Sequence, residues 1–434
     1  MANATLPRPG AAWLPGARSG PAQPLAGTPH APAYLFWVLV AYILLEYTRP
    51  PVVSQLKFQM LVILVVPVLW LLSREHIWTR MLTLHTLFLV WCAKSLPIAD
   101  NYFSVYVTSR NLFGILAIGI AITWVGSNLR DLRRLLWLWL AVMTYQALWA
   151  LTHGGHGTGG MLGDENDLAL ACGTALPVAL VGFERMSGRA RIAMGVMAVL
   201  MVAAVVASFS RGGFIGLVVS VVYLVFSSRH RLRSAALIAA AGLLFFAFVP
   251  KAYLDELRTI QDTDEGTAKG RKFLWTAAFN MWLAHPITGI GGANANFQIG
   301  RYQPESFEGR EYNERDWSGT ALHSAFFTLI AEQGTVGALI FALVIAHQFS
   351  LIRRLRRDVR EREDVPDDLR REVEAFGVGL NGSVVAFLGS GLFLSVLYYP
   401  YVWYFTVFAA TLDLAVRRQL AGLEAPRAPD VAAR

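Results

Sequence analysis

The chain has 434 residues, of which 55% are hydrophobic, 12% aromatic and only 16% charged. Soluble globular chains carry about 25% charged residues, so this composition excludes a water-soluble enzyme, a disordered chain and a disulfide-stapled secreted module. The formal charge of +8 does not indicate nucleic acid, because the basic residues stand in short clusters between apolar blocks, as in the cytoplasmic loops of membrane proteins.

Residues 1–32 are rich in Pro, Gly and Ala, include Arg8 and Arg18, and hold no apolar core of signal-peptide type, so they read as a disordered cytoplasmic tail. Nine apolar blocks then fill 33–249, at 33–48, 58–73, 81–97, 103–125, 135–152, 167–183, 192–209, 213–227 and 234–249. A polar region at 250–322 follows. The last three blocks, 325–351, 376–396 and 398–416, lie within 323–416. Blocks near 20 residues are the mark of helices that cross a bilayer, so the expected fold is an all-α polytopic membrane protein with about twelve transmembrane helices. Cys92 and Cys172 fall inside apolar blocks and read as small buried residues.

Orientation follows from the connections. With a cytoplasmic N-terminus, the inward ones carry Arg74 and Arg80, then Arg130, Arg133 and Arg134, then Arg185, Arg189 and Arg191, then Arg229, Arg231 and Arg233. The connection at 353–374 adds eight more arginines. Among the short outward loops the exceptions are Arg49, Lys57 and Arg211. This positive-inside pattern places both ends, including the tail 417–434, in the cytoplasm, and makes 250–322 a large periplasmic loop. Segment 353–375 mixes Arg with Asp and Glu and reads as a solvated cytoplasmic helix with i,i+4 pairs.

Two outward stretches hold the chemistry. Residues 152–167 are Gly-rich and acidic at their end, with His153 and His156; region 250–322 is polar yet rich in aromatics, and so long a connection among short ones is usually functional. A charge in an apolar hairpin costs about 2.5–3.5 kcal/mol on insertion scales, which singles out Arg211 in Ser208-Phe-Ser-Arg-Gly-Gly213. Arg271 opens a segment with apolar residues at Phe273, Leu274, Ala277, Ala278, Met281 and Trp282, stopped by Pro286. It is expected to be an amphipathic helix on the outer membrane surface, with Trp275 and Trp282 at interface depth and Arg271 at its anion-favouring N-terminal end. His323 stands where the chain re-enters the membrane, and a neutral imidazole there can accept a proton near pH 7.

Other signals point elsewhere. Asp262-Thr-Asp264 has the form of a transferase metal motif but sits in a polar loop. Gly289-Ile-Gly291-Gly292 lacks the strand and third glycine of a dinucleotide site and fits a tight turn. Ser324 beside His323 has no acid partner evident for a serine-hydrolase triad.

Three elements together resemble the bacterial O-antigen ligases and polymerases: Ser210-Arg-Gly-Gly213; Arg271-x3-Trp275 leading to His285-Pro286, Gly289-Ile-Gly291 and Asn296-Phe297; and His323-Ser324-x9-Gly334-x2-Gly337. The resemblance runs from about residue 160 to 415. It implies a GT-C-like glycosyltransferase that is metal-independent and uses no cofactor. The glycan would move from undecaprenyl diphosphate to a sugar hydroxyl on lipid A-core, on a growing chain or on a glycoprotein, at the periplasmic face of the inner membrane. By that resemblance Arg211 and Arg271 hold the diphosphate and His323 activates the acceptor. Both arginines are expected to lower the pKa of His323. Arg110, Arg301, Arg310, Tyr312 and Trp317 are candidates for glycan or lipid contact. Ligase and polymerase are not separated by sequence. A lipid-linked sugar transporter is the rival reading, disfavoured because no internal repeat is visible and the distinctive charges lie at the outer helix ends beside one large loop.

Overall fold

The computed structural model describes residues 31–49, 58–73, 76–228, 231–232, 266–304 and 317–424, and these are helical with no strand among them. The helices are α1 (Ala33–Thr48), α2 (Phe58–Leu72), α3 (Arg80–Ala93), α4 (Tyr102–Val125), α5 (Leu129–Thr152), α6 (Glu165–Arg185) and α7 (Gly188–Ala207). They continue as α8 (Arg211–Ser227), α9 (Gly266–Ala284), α10 (Ala295–Tyr302), α11 (Ala325–Glu361), α12 (Asp367–Gly391) and α13 (Pro400–Glu424).

Six of these, α4, α5, α6, α7, α11 and α12, are long and apolar enough to cross a membrane, and four shorter apolar helices accompany them. The chain is a multi-pass membrane protein. Helices α1–α8 and α11–α13 coincide with the apolar blocks; the block at 234–249 and the motif Asp262-Thr-Asp264 lie outside the described residues.

Hydropathy misplaces the ends of several helices, because capping residues and charged first turns belong to the helix without being apolar. Helix α5 starts six residues before its block: Asn128 caps it by accepting from Asp131 N at 2.9 Å, and Arg130, Arg133 and Arg134 ride in the opening turns. The 353–375 segment is not one solvated helix. Its first part continues α11 to Glu361 and its second part opens α12 at Asp367. Exposed local pairs such as Arg357–Glu361 are present, but the buried carboxylates pair between helices: Glu374 of α12 takes Arg356 of α11 at 2.8 Å and also Arg360, and Glu372 takes Arg133 of α5.

Helix α6 sits centrally, packed on α5, α7, α8 and α12. The start of α8 lies so close to α6 that a Cβ at Gly213 would come within 2.4 Å of the Ala169 Cβ, which accounts for a glycine two residues after Arg211.

A second, smaller core lies outside the bundle. Phe273, Leu274, Ala277, Ala278 and Met281 of α9 pack with Ile290, Ala295, Ile299, Trp317, Leu322 and Ala331. The apolar stripe of α9 thus faces protein rather than lipid. Trp275 donates to Leu322 O at 3.0 Å and stacks on Phe327, while Trp282 donates to Thr335 Oγ1 at 3.0 Å.

The loop after α9 is threaded into α11. At Gly334 the helix breaks (φ 63°, ψ −169°), which separates carbonyls 331 and 332 from amides 335 and 336. Loop backbone takes their place. Ile290 N donates to Ala331 O and Gly291 N to Glu332 O, both at 3.0 Å; Thr335 N donates to Pro286 O at 2.8 Å and Val336 N to Ile287 O at 3.4 Å. Every group freed by the break is satisfied, as buried backbone requires. The Gly289-Ile-Gly291-Gly292 turn is one side of this interlock. A Cβ at Gly289 would meet Glu332 backbone at 2.3 Å, and one at Gly334 would meet Ile287 O at 2.5 Å, both at positive φ. Left-handed backbone alone costs a side-chain-bearing residue about 1–2 kcal/mol, and the backbone clash adds to it. Gly334→Ala should therefore lower the melting temperature in detergent and speed amide exchange at 286–295; wild-type behaviour in both would contradict the interlock.

Candidate functional site

Three segments carry the site. Ser210 caps α8: its hydroxyl accepts from Gly213 N at 3.1 Å and donates to Asn166 Oδ1 at 2.8 Å. Arg211 is therefore the first residue of the helix, where the backbone dipole favours an anion. Asp164 caps α6 by accepting from Asn166 N at 2.8 Å, so the starts of α6 and α8 are joined side by side.

Arg271 lies on α9, four residues before Trp275 and on the same face. Its guanidinium carbon stands 5.7 Å from the centroid of the Phe393 ring, which also packs against Trp275. Because Trp275 holds Leu322 O, the Arg-x3-Trp spacing puts Arg271 one turn from a residue fixed against the segment that presents His323. Helix α9 begins at Gly266, so Arg271 is beyond the first turn and draws little from the helix dipole, contrary to the expectation from sequence. That advantage belongs to Arg211.

His323 precedes the α11 cap Ser324, in the left-handed region at φ 51°. Phe209 (φ 54°), two residues before Arg211, and Ala293 (φ 53°), in the loop docked on α11, share that strained conformation, and such strain gathers at functional sites. Ser324 uses its side chain to accept from Phe327 N, a capping role.

Electrostatic couplings tie the segments together. The pKa of His323 is lowered by burial, then by the Arg271 charge, with Asp164 opposing; that of Arg271 is lowered by burial, then by Arg211. His323 is nonetheless an exposed residue. Charge effects of this kind fade with distance, and the couplings link Arg211 to Arg271, Arg271 to His323 and Asp164 to His323, so the four groups share one neighbourhood. The expectation that both arginines depress His323 needs correction: burial is the larger cause, Arg271 the second, and Arg211 acts on Arg271. Asp164 was missed in sequence, where the acidic end of 152–167 was visible but its closeness to His323 was not.

The remaining candidates are dispersed. Arg110 is exposed on α4, along the face that carries exposed Tyr106 and Phe113. Arg301, exposed at the end of α10, pairs with Asp100 at 3.6 Å. Trp317 is buried and stacks on Phe273, so its ring serves the second core. Arg310 and Tyr312 lie outside the described residues. His153 stacks on Trp149, and His156 pairs with Glu165 at 3.5 Å.

An exposed histidine that feels one guanidinium, which in turn feels a second, can take a proton from a hydroxyl while the cations receive a developing anion. No curated protein matches the chain. Residues 196–342 match the family described as O-Antigen ligase, a stretch that runs from within α7 to within α11 and contains Arg211, Arg271 and His323. Over that segment, about a third of the chain, the protein is similar to the O-antigen ligase family.

Proposed function

We propose that the protein is a glycosyltransferase that moves an oligosaccharide or polysaccharide from undecaprenyl diphosphate to an acceptor sugar hydroxyl, at the periplasmic face of the inner membrane. The coupling of Arg211, Arg271 and His323 in one neighbourhood carries the reading. His323 accepts the proton of the acceptor hydroxyl as its oxygen attacks the anomeric carbon. The bond from that carbon to the diphosphate breaks on the opposite side, with inversion, and the leaving group departs as an anion held by the two guanidiniums. Arginine suits that role because its planar fork is bidentate and stays charged. The acceptor is lipid A-core or a similar glycan.

The test is purified full-length protein in detergent with an undecaprenyl-diphosphate-linked oligosaccharide, with and without lipid A-core, read by mass spectrometry. Glycan joined to lipid A-core supports the ligase reading; lengthening of the carrier-bound chain with no acceptor added assigns a polymerase of the same family. Detergent abolishes gradients while leaving chemistry intact, so absence of both products together with movement of the lipid-linked donor across proteoliposomes would replace the reading with transport.

A further inference from the structure

The short connection between α12 and α13, residues 392–399, touches every element that carries a site residue. Phe393 lies under Arg271 and against Trp275, on the α9 side. Leu394 meets the position of Gly212, beside Arg211, where a Cβ would come within 3.0 Å of it. Tyr398 donates to Glu332 Oε2 at 2.7 Å and accepts from Gln333 Nε2 at 2.8 Å. Tyr399 donates to Asp167 Oδ2 at 3.0 Å. Adjacent tyrosines thus bind opposite halves of the site. Glu332 belongs to α11, just before its break, and also accepts the amides of Ala293 and Ala295, so Tyr398 is fixed to the interlocked loop on the Arg271 and His323 side. Asp167 belongs to the first turn of α6, beside the Asn166 that holds Ser210, so Tyr399 is fixed to the Arg211 side.

We infer that Tyr398 and Tyr399 are positioning residues that set the separation of Arg211 from Arg271 and His323, an inference that rests on the proposed reaction only for its catalytic consequence. A diphosphate spans a fixed distance, and two cations on separate helices hold both phosphates together only if that spacing is kept. The two phenols bridge these halves through hydrogen bonds to carboxylates, which are among the stronger kind.

The test uses full-length protein with spin labels at Thr152→Cys and Lys272→Cys, both exposed, the native Cys92 and Cys172 being buried. Tyr398→Phe and Tyr399→Phe should each widen the label-to-label distance distribution and weaken binding of undecaprenyl diphosphate by about tenfold. Because they act through Arg211, Arg211→Ala/Tyr399→Phe should bind no more weakly than Arg211→Ala. Asp167→Asn, whose amide oxygen still accepts the phenol, should retain binding where Asp167→Leu does not. Unchanged distances overturn the inference. So does an additive loss in the double variant, or widened distances with wild-type binding, which would assign the tyrosines a purely structural role. If the wild type neither binds the carrier nor transfers glycan, the proposed reaction falls while the distance measurement still decides whether the tyrosines hold the halves together.

Discussion

Replacing His323 with alanine should lower glycan transfer by about two to four orders of magnitude, the usual contribution of a positioned general base, while leaving the melting temperature and donor binding near those of the wild type. The pH dependence makes this specific to a base. The working form is neutral imidazole, which predominates above the pKa in the folded protein. Burial and the Arg271 charge hold that pKa below the ordinary 6.5, so the wild-type rate should stay flat through neutrality and fall only at lower pH. Asp164 opposes the shift. Asp164→Asn keeps a good helix cap, removes a group that stabilises imidazolium, and should move the acid limb to lower pH. Arg271→Gln removes a group that destabilises imidazolium and should move the residual limb to higher pH. Opposite displacements identify His323 as the titrating group; an Asp164→Asn limb that stays put or rises assigns the proton transfer to another residue.

How much of this could be read without coordinates depends on the range of the interaction. Membrane-crossing helices such as α4 and α7 are legible because burial in lipid demands runs of apolar residues, and one-dimensional hydropathy registers that demand directly. The start of α5 at Leu129 is not, since Asn128 and three arginines serve the helix as cap and polar first turns. Residue chemistry makes Arg211, Arg271 and His323 conspicuous, because a cation in an apolar hairpin needs a reason. Their supports are invisible for a different cause. An apolar stripe such as that of α9 shows that something covers it, but lipid and Trp317 are equally apolar, and the protein supplies the cover. Gly289 and Gly334 each signal an unusual backbone locally; that the two backbones dock on one another is a long-range fact. Asp164 reads as the acidic end of a loop and Tyr399 as part of an apolar block; only folding brings the one near His323 and the other onto Asp167.

Arg211→Lys should be nearly as damaging as His323→Ala even though the charge is kept. As the glycosidic bond breaks, the diphosphate gains negative charge at the oxygen that held the sugar. A guanidinium at the first residue of α8 can meet two phosphate oxygens at once, in line with the helix dipole. An ammonium meets them as a single point charge on a flexible stem, and its proton is easier to lose beside another cation. Burial lowers the pKa of Arg271 and the Arg211 charge lowers it further, so the two cations already repel. Bound diphosphate relieves that repulsion, and this relief is largest where both forks engage. Removing one preorganised donor from an anion site costs about 100- to 1,000-fold in turnover, and Arg211→Lys and Arg271→Lys should each fall in that range, mainly in kcat because the charge develops in the transition state. Arg110→Lys, on the exposed face of α4, should be near normal. Initial rates and donor KM measured separately decide the matter. Near-wild-type turnover in Arg211→Lys would mean that the fork does not stabilise the leaving group, and that Arg211 contributes only a diffuse field to a reaction stabilised elsewhere.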